Sequence, residues 1–187
     1  RINDYLLGCG SGVASGCALG LLYRGLAVSS VAIVSPIAAV LLGAVPMFGY
    51  LITGAPLSLG VAVGVTTALI GLMITTFDPN MGDRVRAGIL LGFASGLCFG
   101  NGLLLMAQTT VDGGLRPVVV QRSTALIILF GFCTVRGLPK IVTGRLLRFS
   151  AVAGLLGSVG VLCYTAGFQR GSITAVAVAA SVFPVPT

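Results

Sequence analysis

The chain has 187 residues, of which 56% are hydrophobic and 8% charged, with a mean hydropathy of +1.09. A water-soluble domain of this length needs more polar surface than that, so the composition excludes one and points to lipid as the solvent. The net charge of +7 does not indicate nucleic acid: the 11 Lys and Arg residues are scattered at the ends of apolar segments, as membrane topology requires, and are not gathered on one face.

Seven apolar segments follow one another, separated by short polar or Pro/Gly punctuation. They are A, about 5–22; B, about 27–52; C, about 57–76; D, about 87–108; E, about 117–135; F, about 149–167; and G, from about 172 onward. The complete ones approach the roughly 20 residues that a helix needs to cross the hydrocarbon core. None alternates apolar and polar residues as a membrane strand does, so the expected class is an all-α transmembrane bundle.

Segment A carries Gly8, Gly12, Gly16 and Gly20. Residues four apart share one face of a helix, so this ladder predicts a strip without side chains. In water each interior glycine costs a helix roughly 1 kcal/mol relative to alanine. In a bilayer such strips instead let helix backbones approach closely, and the ladder reads as a packing surface. Tyr23-Arg24-Gly25 is the expected connection to segment B. Pro36 and Pro46 in B each remove a backbone donor and free a carbonyl, which membranes tolerate where the freed group faces a cavity or a neighbour. With Pro184 in segment G, they are the expected cavity-wall breaks.

Segment C holds Thr66 and Thr67, read as packing or interfacial groups. Segment D repeats the ladder with Gly88, Gly92, Gly96 and Gly100, and sets Asn101 beside it as a candidate substrate-binding amide. Gln108 at its end reads as an anchor. In segment E, Arg122 follows Gln121 a few residues inside the helix. A charge in a membrane helix costs roughly 2.5–3.5 kcal/mol at mid-helix and is by default a functional candidate, with snorkelling to the interface as the plainer role. Tyr164 in F is a third candidate substrate contact.

The four acids, Asp4, Asp78, Asp83 and Asp112, all fall at segment ends or in loops, so no buried carboxylate is expected as a proton carrier. The chain has no histidine, and its five cysteines lie in apolar runs without the spacing of a zinc site. No metal, cofactor or catalytic constellation is implied, and the chain does not read as an enzyme. The basic loops on the side of the A–B, C–D and E–F connections outnumber those opposite, a count that favours that side as cytoplasmic without deciding the orientation. The first apolar run begins close to Arg1 and the last stops at Phe183-Pro184-Val185-Pro186-Thr187, the pattern expected of a piece of a longer chain.

An internal echo links the pair A–B to the pair F–G. Leu22-Tyr23-Arg24-Gly25, followed by Ser29, Ser30, Ser35 and Pro36, is matched by Phe168-Gln169-Arg170-Gly171, followed by Ser172, Thr174, Ser181 and Pro184. An offset of five helices is odd, so the second copy would cross the membrane in the opposite direction, as in inverted-repeat transporters.

The stretches Leu22 to Ile37, Gly171 to Val185 and Gly88 to Gly100 resemble EamA-type members of the drug/metabolite transporter superfamily. The resemblance implies ten helices in two inverted five-helix repeats. On that reading 1–77 holds the last three helices of the first repeat and 85–187 the first four of the second. Gly54-Ala55 stands where the family often has Gly-Glu, and Val178 where a second proline is expected. The implied function is secondary transport or export of small organic solutes by alternating access, from a multi-pass position in the cell membrane. The alternative is a non-transporting assembly or scaffold subunit that packs through its glycine faces. The expected partners are the lipid bilayer and a small-molecule substrate, with a homodimer left open and no nucleic acid.

Overall fold

The computed structural model of the protein describes residues 2–52, 82–137 and 144–170, with isolated helical positions between 60 and 71. Over these the chain forms five long helices: α1 (Ile2–Val28), α2 (Val31–Ile52), α3 (Asp83–Ala107), α4 (Arg116–Val135) and α5 (Arg145–Arg170). A 3₁₀ turn, Val111–Gly113, separates α3 from α4. Most of segment C, and segment G with Pro184, lie outside the described residues.

The helix boundaries have local causes. Asp4 and Asp83 sit in the first turns of α1 and α3, where a negative charge complements the helix dipole. Pro117 occupies the first turn of α4, where its missing N–H would have no helical partner anyway. α4 ends with Gly137 at φ 63°, a left-handed conformation that terminates helices and favours glycine, and the Gly137 N–H donates to the Thr134 carbonyl.

The expected connection Tyr23-Arg24-Gly25 belongs instead to the last turns of α1. The break comes later, at Ser29-Ser30, where the Ser30 hydroxyl accepts from the Ala32 N–H at 3.1 Å and starts α2. Arg24 is exposed and does not disturb the helix, while Gly25 is buried against Val34 and Leu91. Likewise Phe168, Gln169 and Arg170 complete α5 rather than forming a connection. A charged residue at a helix end is compatible with another helical turn, and only capping chemistry stops the chain.

α2 runs through both Pro36 and Pro46. Pro46 is fully buried, whereas Pro36 lies on the outer surface of the bundle.

α1, α3, α4 and the Leu147–Gly167 part of α5 are long and apolar enough to cross a membrane, which makes this a multi-pass membrane protein by length and composition. Their large side chains point outward. Leu90 is 69% exposed, Leu126 70% and Leu155 67%. The interior is built largely of small residues, with a few large ones between them: Ala18, Ala38 and Ala44 are buried with Gly8, Gly12, Gly92 and Gly96, alongside Ile37, Leu41 and Met106. Such an inside-out distribution suits lipid, because burying large apolar groups gains little when the solvent is itself apolar.

α1 and α3 form the centre and run antiparallel. The Ser11 hydroxyl donates to the Gly102 carbonyl at 2.7 Å, and the Ser95 hydroxyl donates to the Ala18 carbonyl at 2.9 Å. α2 flanks α3, and α4 flanks α1. The side-by-side order is therefore α2, α3, α1, α4, with α5 touching α3 and α4 more lightly. Contacts along each flank advance in the same direction, so α2 is parallel to α3 and α4 is parallel to α1. The ends carrying Arg24, Arg84, Arg86 and Arg136 consequently share one face of the bundle.

Candidate functional site

The two glycine ladders meet different helices. A Cβ on Gly8 would lie 2.8 Å from the Pro117 carbonyl oxygen, and one on Gly12 would lie 2.6 Å from the Gln121 carbonyl oxygen and from Thr124 Cβ. One on Gly16 would meet Ile128 at 3.1 Å, so this ladder faces α4. Gly20 has open space around it. In α3, Gly88 abuts Ser29, Gly92 the Val34 carbonyl, Gly96 Leu41 and Ala38, and Gly100 Val45, so the second ladder faces α2.

The two flanks correspond position by position. Leu-Leu-Gly-x-x-Ser-Gly-x-x-x-Gly begins at Leu6 and again at Leu90. One constant offset carries Gly8, Ser11, Gly12 and Gly16 onto Gly92, Ser95, Gly96 and Gly100. A second, shorter by one residue, carries their partners Val34, Ala38, Leu41 and Val45 onto Pro117, Gln121, Thr124 and Ile128. The reciprocal bonds of Ser11 and Ser95 obey the same exchange. This motif was legible in the sequence as a self-match of the glycine ladders extended to Leu-Leu and Ser. Spacing alone emphasised the glycines and passed over the serines.

The flanks differ in chemistry. Where α2 has Ala38-Ala39, α4 has Gln121-Arg122. Gln121 is 3% exposed, and its amide nitrogen donates to the Ser11 hydroxyl at 2.8 Å and the Ser15 hydroxyl at 3.3 Å. Ser11 spends its only proton on the Gly102 carbonyl, so it can offer Gln121 a lone pair alone. With both amide N–H groups given to Ser11 and Ser15, Gln121 Oε1 is turned away from the serines. Oε1 is buried without a hydrogen-bond partner.

Arg122 points from α4 towards α5, where a terminal guanidinium nitrogen donates to the Gly157 carbonyl at 2.5 Å. Its Nε is buried without a partner. Among the described residues no carboxylate lies within ion-pair distance of it. Asn101 is exposed, and its amide donates to the Leu97 carbonyl of its own helix at 3.0 Å. Tyr164 is buried in α5, beside buried Thr165, whose hydroxyl donates to the Val161 carbonyl. Of the three candidate substrate contacts, Arg122 thus joins two helices, whereas the Asn101 amide bonds within its own.

Two further polar residues take part in the packing in ways the sequence did not suggest. Asp4, expected at a segment end, is only 3% exposed and accepts from the Thr110 N–H at 3.0 Å and the Thr110 hydroxyl at 2.8 Å. It ties the start of α1 to the α3–α4 connection. Gln121 read merely as the neighbour of Arg122, because an uncharged amide carries no conspicuous signal in an apolar helix. Set against known protein families, curated proteins and solved structures, the chain matches none of them.

Proposed function

We propose that the protein is a secondary transporter or exporter of small organic solutes, such as metabolites, amino acids or drugs, working by alternating access in the cell membrane. In this reading it is built as an EamA-like inverted-repeat bundle of five plus five helices, and it moves solutes without covalent chemistry or a cofactor. The observation that carries the reading is the exchange of contacts between antiparallel, sequence-matched helices. α1 and α3 share one motif, run in opposite directions and each seat a glycine strip on the flanking helix of the other hairpin. Transporters use internal symmetry of this sense to alternate between two equivalent packings. Strips without side chains also suit sliding, since no knob must leave a hole as one helix moves along another. The five-helix echo between A–B and F–G is a different pairing from this one, which relates A to D and B to E, and segment G lies outside the described residues.

Reconstitution of the full-length protein into liposomes tests the reading. A transporter shows solute uptake that saturates and is accelerated by the same solute preloaded inside. Fluxes that stay linear with concentration and show no counterflow for any solute class would sink it, and would favour an assembly subunit whose glycine faces serve packing alone.

A further inference from the structure

The α1–α4 crossing is closed over three rungs of its ladder and open at the fourth. A Cβ on Gly8, Gly12 or Gly16 would lie 2.8, 2.6 or 3.1 Å from α4, whereas one on Gly20 would meet nothing within 4 Å. The partners advance in step, with Pro117, Gln121 and Ala125 succeeding one another as Gly8, Gly12 and Gly16 do. By the same helical spacing the contacting face of α4 continues from Thr124 and Ile128 to Gly131. A Cβ on Gly131 would also meet nothing within 4 Å. Both walls are therefore bare where the helices come apart, and the cleft between them is lined by two glycines. The other flank behaves differently. At the same end of the bundle Gly88 abuts Ser29, and every rung of that ladder is closed.

The register also determines what stands at the mouth of the cleft. Carried one step further, it sets Arg24 level with residues 133–136 of α4, so Arg24 and Arg136 stand at one height on either side of the open end. Both are exposed, and the Arg136 guanidinium lies over the Phe132 ring, 5.4 Å from its centroid, next to Gly131 in the chain. Neighbouring helix axes are roughly 8–10 Å apart, a distance that two extended arginines span from either side. Asp83, the acid at this end among the described residues, starts α3, which α1 separates from α4.

The order of chemistry along the helices is that of a lipid. Gly20 lies about 6 Å below Arg24, at 1.5 Å per residue. A phosphate at the arginines would lay the glycerol and the first methylenes of an acyl chain against the glycines. Guanidinium forks take phosphate oxygens through paired hydrogen bonds, and each basic group near a membrane surface adds to the attraction for anionic lipid. A free phosphate would leave the apolar cleft unfilled. A second copy seated there about a two-fold axis along the membrane normal would bring arginine ends together without a counter-charge.

We propose that the opening between α1 and α4 binds an anionic phospholipid, whose phosphate is held by Arg24 and Arg136 and one of whose acyl chains lies over Gly20 and Gly131. The site requires only that α1 and α4 cross the membrane, so it stands apart from the transport reading and is compatible with an assembly subunit as well.

Native mass spectrometry of the purified, delipidated full-length protein tests this, with phosphatidylglycerol and phosphatidylcholine of identical chains as probes. Phosphatidylglycerol should bind roughly tenfold more tightly than phosphatidylcholine. Arg24→Gln and Arg136→Gln should each weaken phosphatidylglycerol roughly fivefold and leave phosphatidylcholine unchanged. Gly20→Leu fills the cleft without displacing another helix, so it should fold normally and weaken both lipids. Arg84→Gln, at the same end but on α3, should retain the binding of the unaltered protein. Glycerol phosphate, which has the charge without the chains, should not compete. Equal affinity for the two lipids, unchanged lipid binding in Gly20→Leu, or displacement by glycerol phosphate would each overturn the proposal. So would an effect of Arg84→Gln as large as that of Arg24→Gln, because the lipid would then answer to the charge of the whole face. A dimer that takes the place of the lipid adducts and is lost in Gly20→Leu would overturn it too, and would give the opening to a second copy. Should an arginine variant fail to fold, Gly20→Leu and the lipid pair still decide.

Discussion

The flank formed by α2 on α3 and the flank formed by α4 on α1 use the same geometry with opposite chemistry. Both seat a glycine strip on carbonyls and Cβ atoms of a parallel neighbour. On the α2 side the seat is Val34, Ala38, Leu41 and Val45, all apolar, and no side-chain hydrogen bond crosses it among the described residues. On the α4 side it is Pro117, Gln121, Thr124 and Ile128, and Gln121 bonds to Ser11 and Ser15. Close backbone approach is therefore what the fold requires. The polar groups are an addition on one side, and their presence needs a reason other than packing.

The shared geometry gives the largest expected effect. Gly96→Leu must displace Ala38 and Leu41, and Gly12→Leu must displace the Gln121 backbone and Thr124, so both should destabilise by about 3 kcal/mol or more and lower the yield of folded protein. Gly20→Leu, on the same nominal ladder but facing open space, should fold normally, as should Ile89→Leu. Melting temperatures of the four variants check this. If Gly20→Leu were as harmful as Gly12→Leu, the ladder would act through helix propensity or lipid contact rather than through these crossings.

An intermediate effect comes from swapping chemistry between the flanks. Gln121→Leu strands the lone pair of Ser11, at a cost of about 1–2 kcal/mol. Ala38→Gln places an amide against Ser95, the counterpart of Ser11, where it can donate to a hydroxyl oxygen whose proton is already given to Ala18. It should therefore be milder than Ala38→Leu, which brings similar volume without a hydrogen bond. Equal melting temperatures for the two Ala38 variants would show that the correspondence does not extend to polar side chains.

The sequence made the apolar segments, the membrane environment and the ladder spacing legible, because each depends on composition or on the 3.6-residue period. It misplaced the α1–α2 break by several residues, since Arg24-Gly25 looks like punctuation while the Ser30 cap is a single hydroxyl. Partners were beyond its reach. Spacing says that Gly8, Gly12, Gly16 and Gly20 share a face, but only the crossing of two straight helices determines that Gly20 lies past the contact. Asp4 read as a terminal, solvated acid because burial by the α3–α4 connection is a long-range event. Arg122 stood out by its charge, whereas Gln121 gained its meaning only from Ser11, far away in sequence.

The smallest expected effects separate the two central serines. Ser95 makes one bond, to the Ala18 carbonyl, whereas Ser11 both donates to Gly102 and accepts from Gln121. Interhelical hydrogen bonds in membranes average about 0.6 kcal/mol, so Ser95→Ala should lose roughly that amount and Ser11→Ala somewhat more. The difference is small, and a double-mutant cycle resolves it better than either single change. Ser11→Ala combined with Gln121→Leu should cost less than the sum of the two, because removing either already breaks their shared bond. Ser95→Ala combined with Gln121→Leu should add, since no hydrogen bond links them. Additivity in both cycles would mean that Gln121 does not depend on Ser11 for its orientation. The amide would then be free to turn Oε1 towards the serines, and the polar flank would lose the fixed acceptor that distinguishes it from its apolar counterpart.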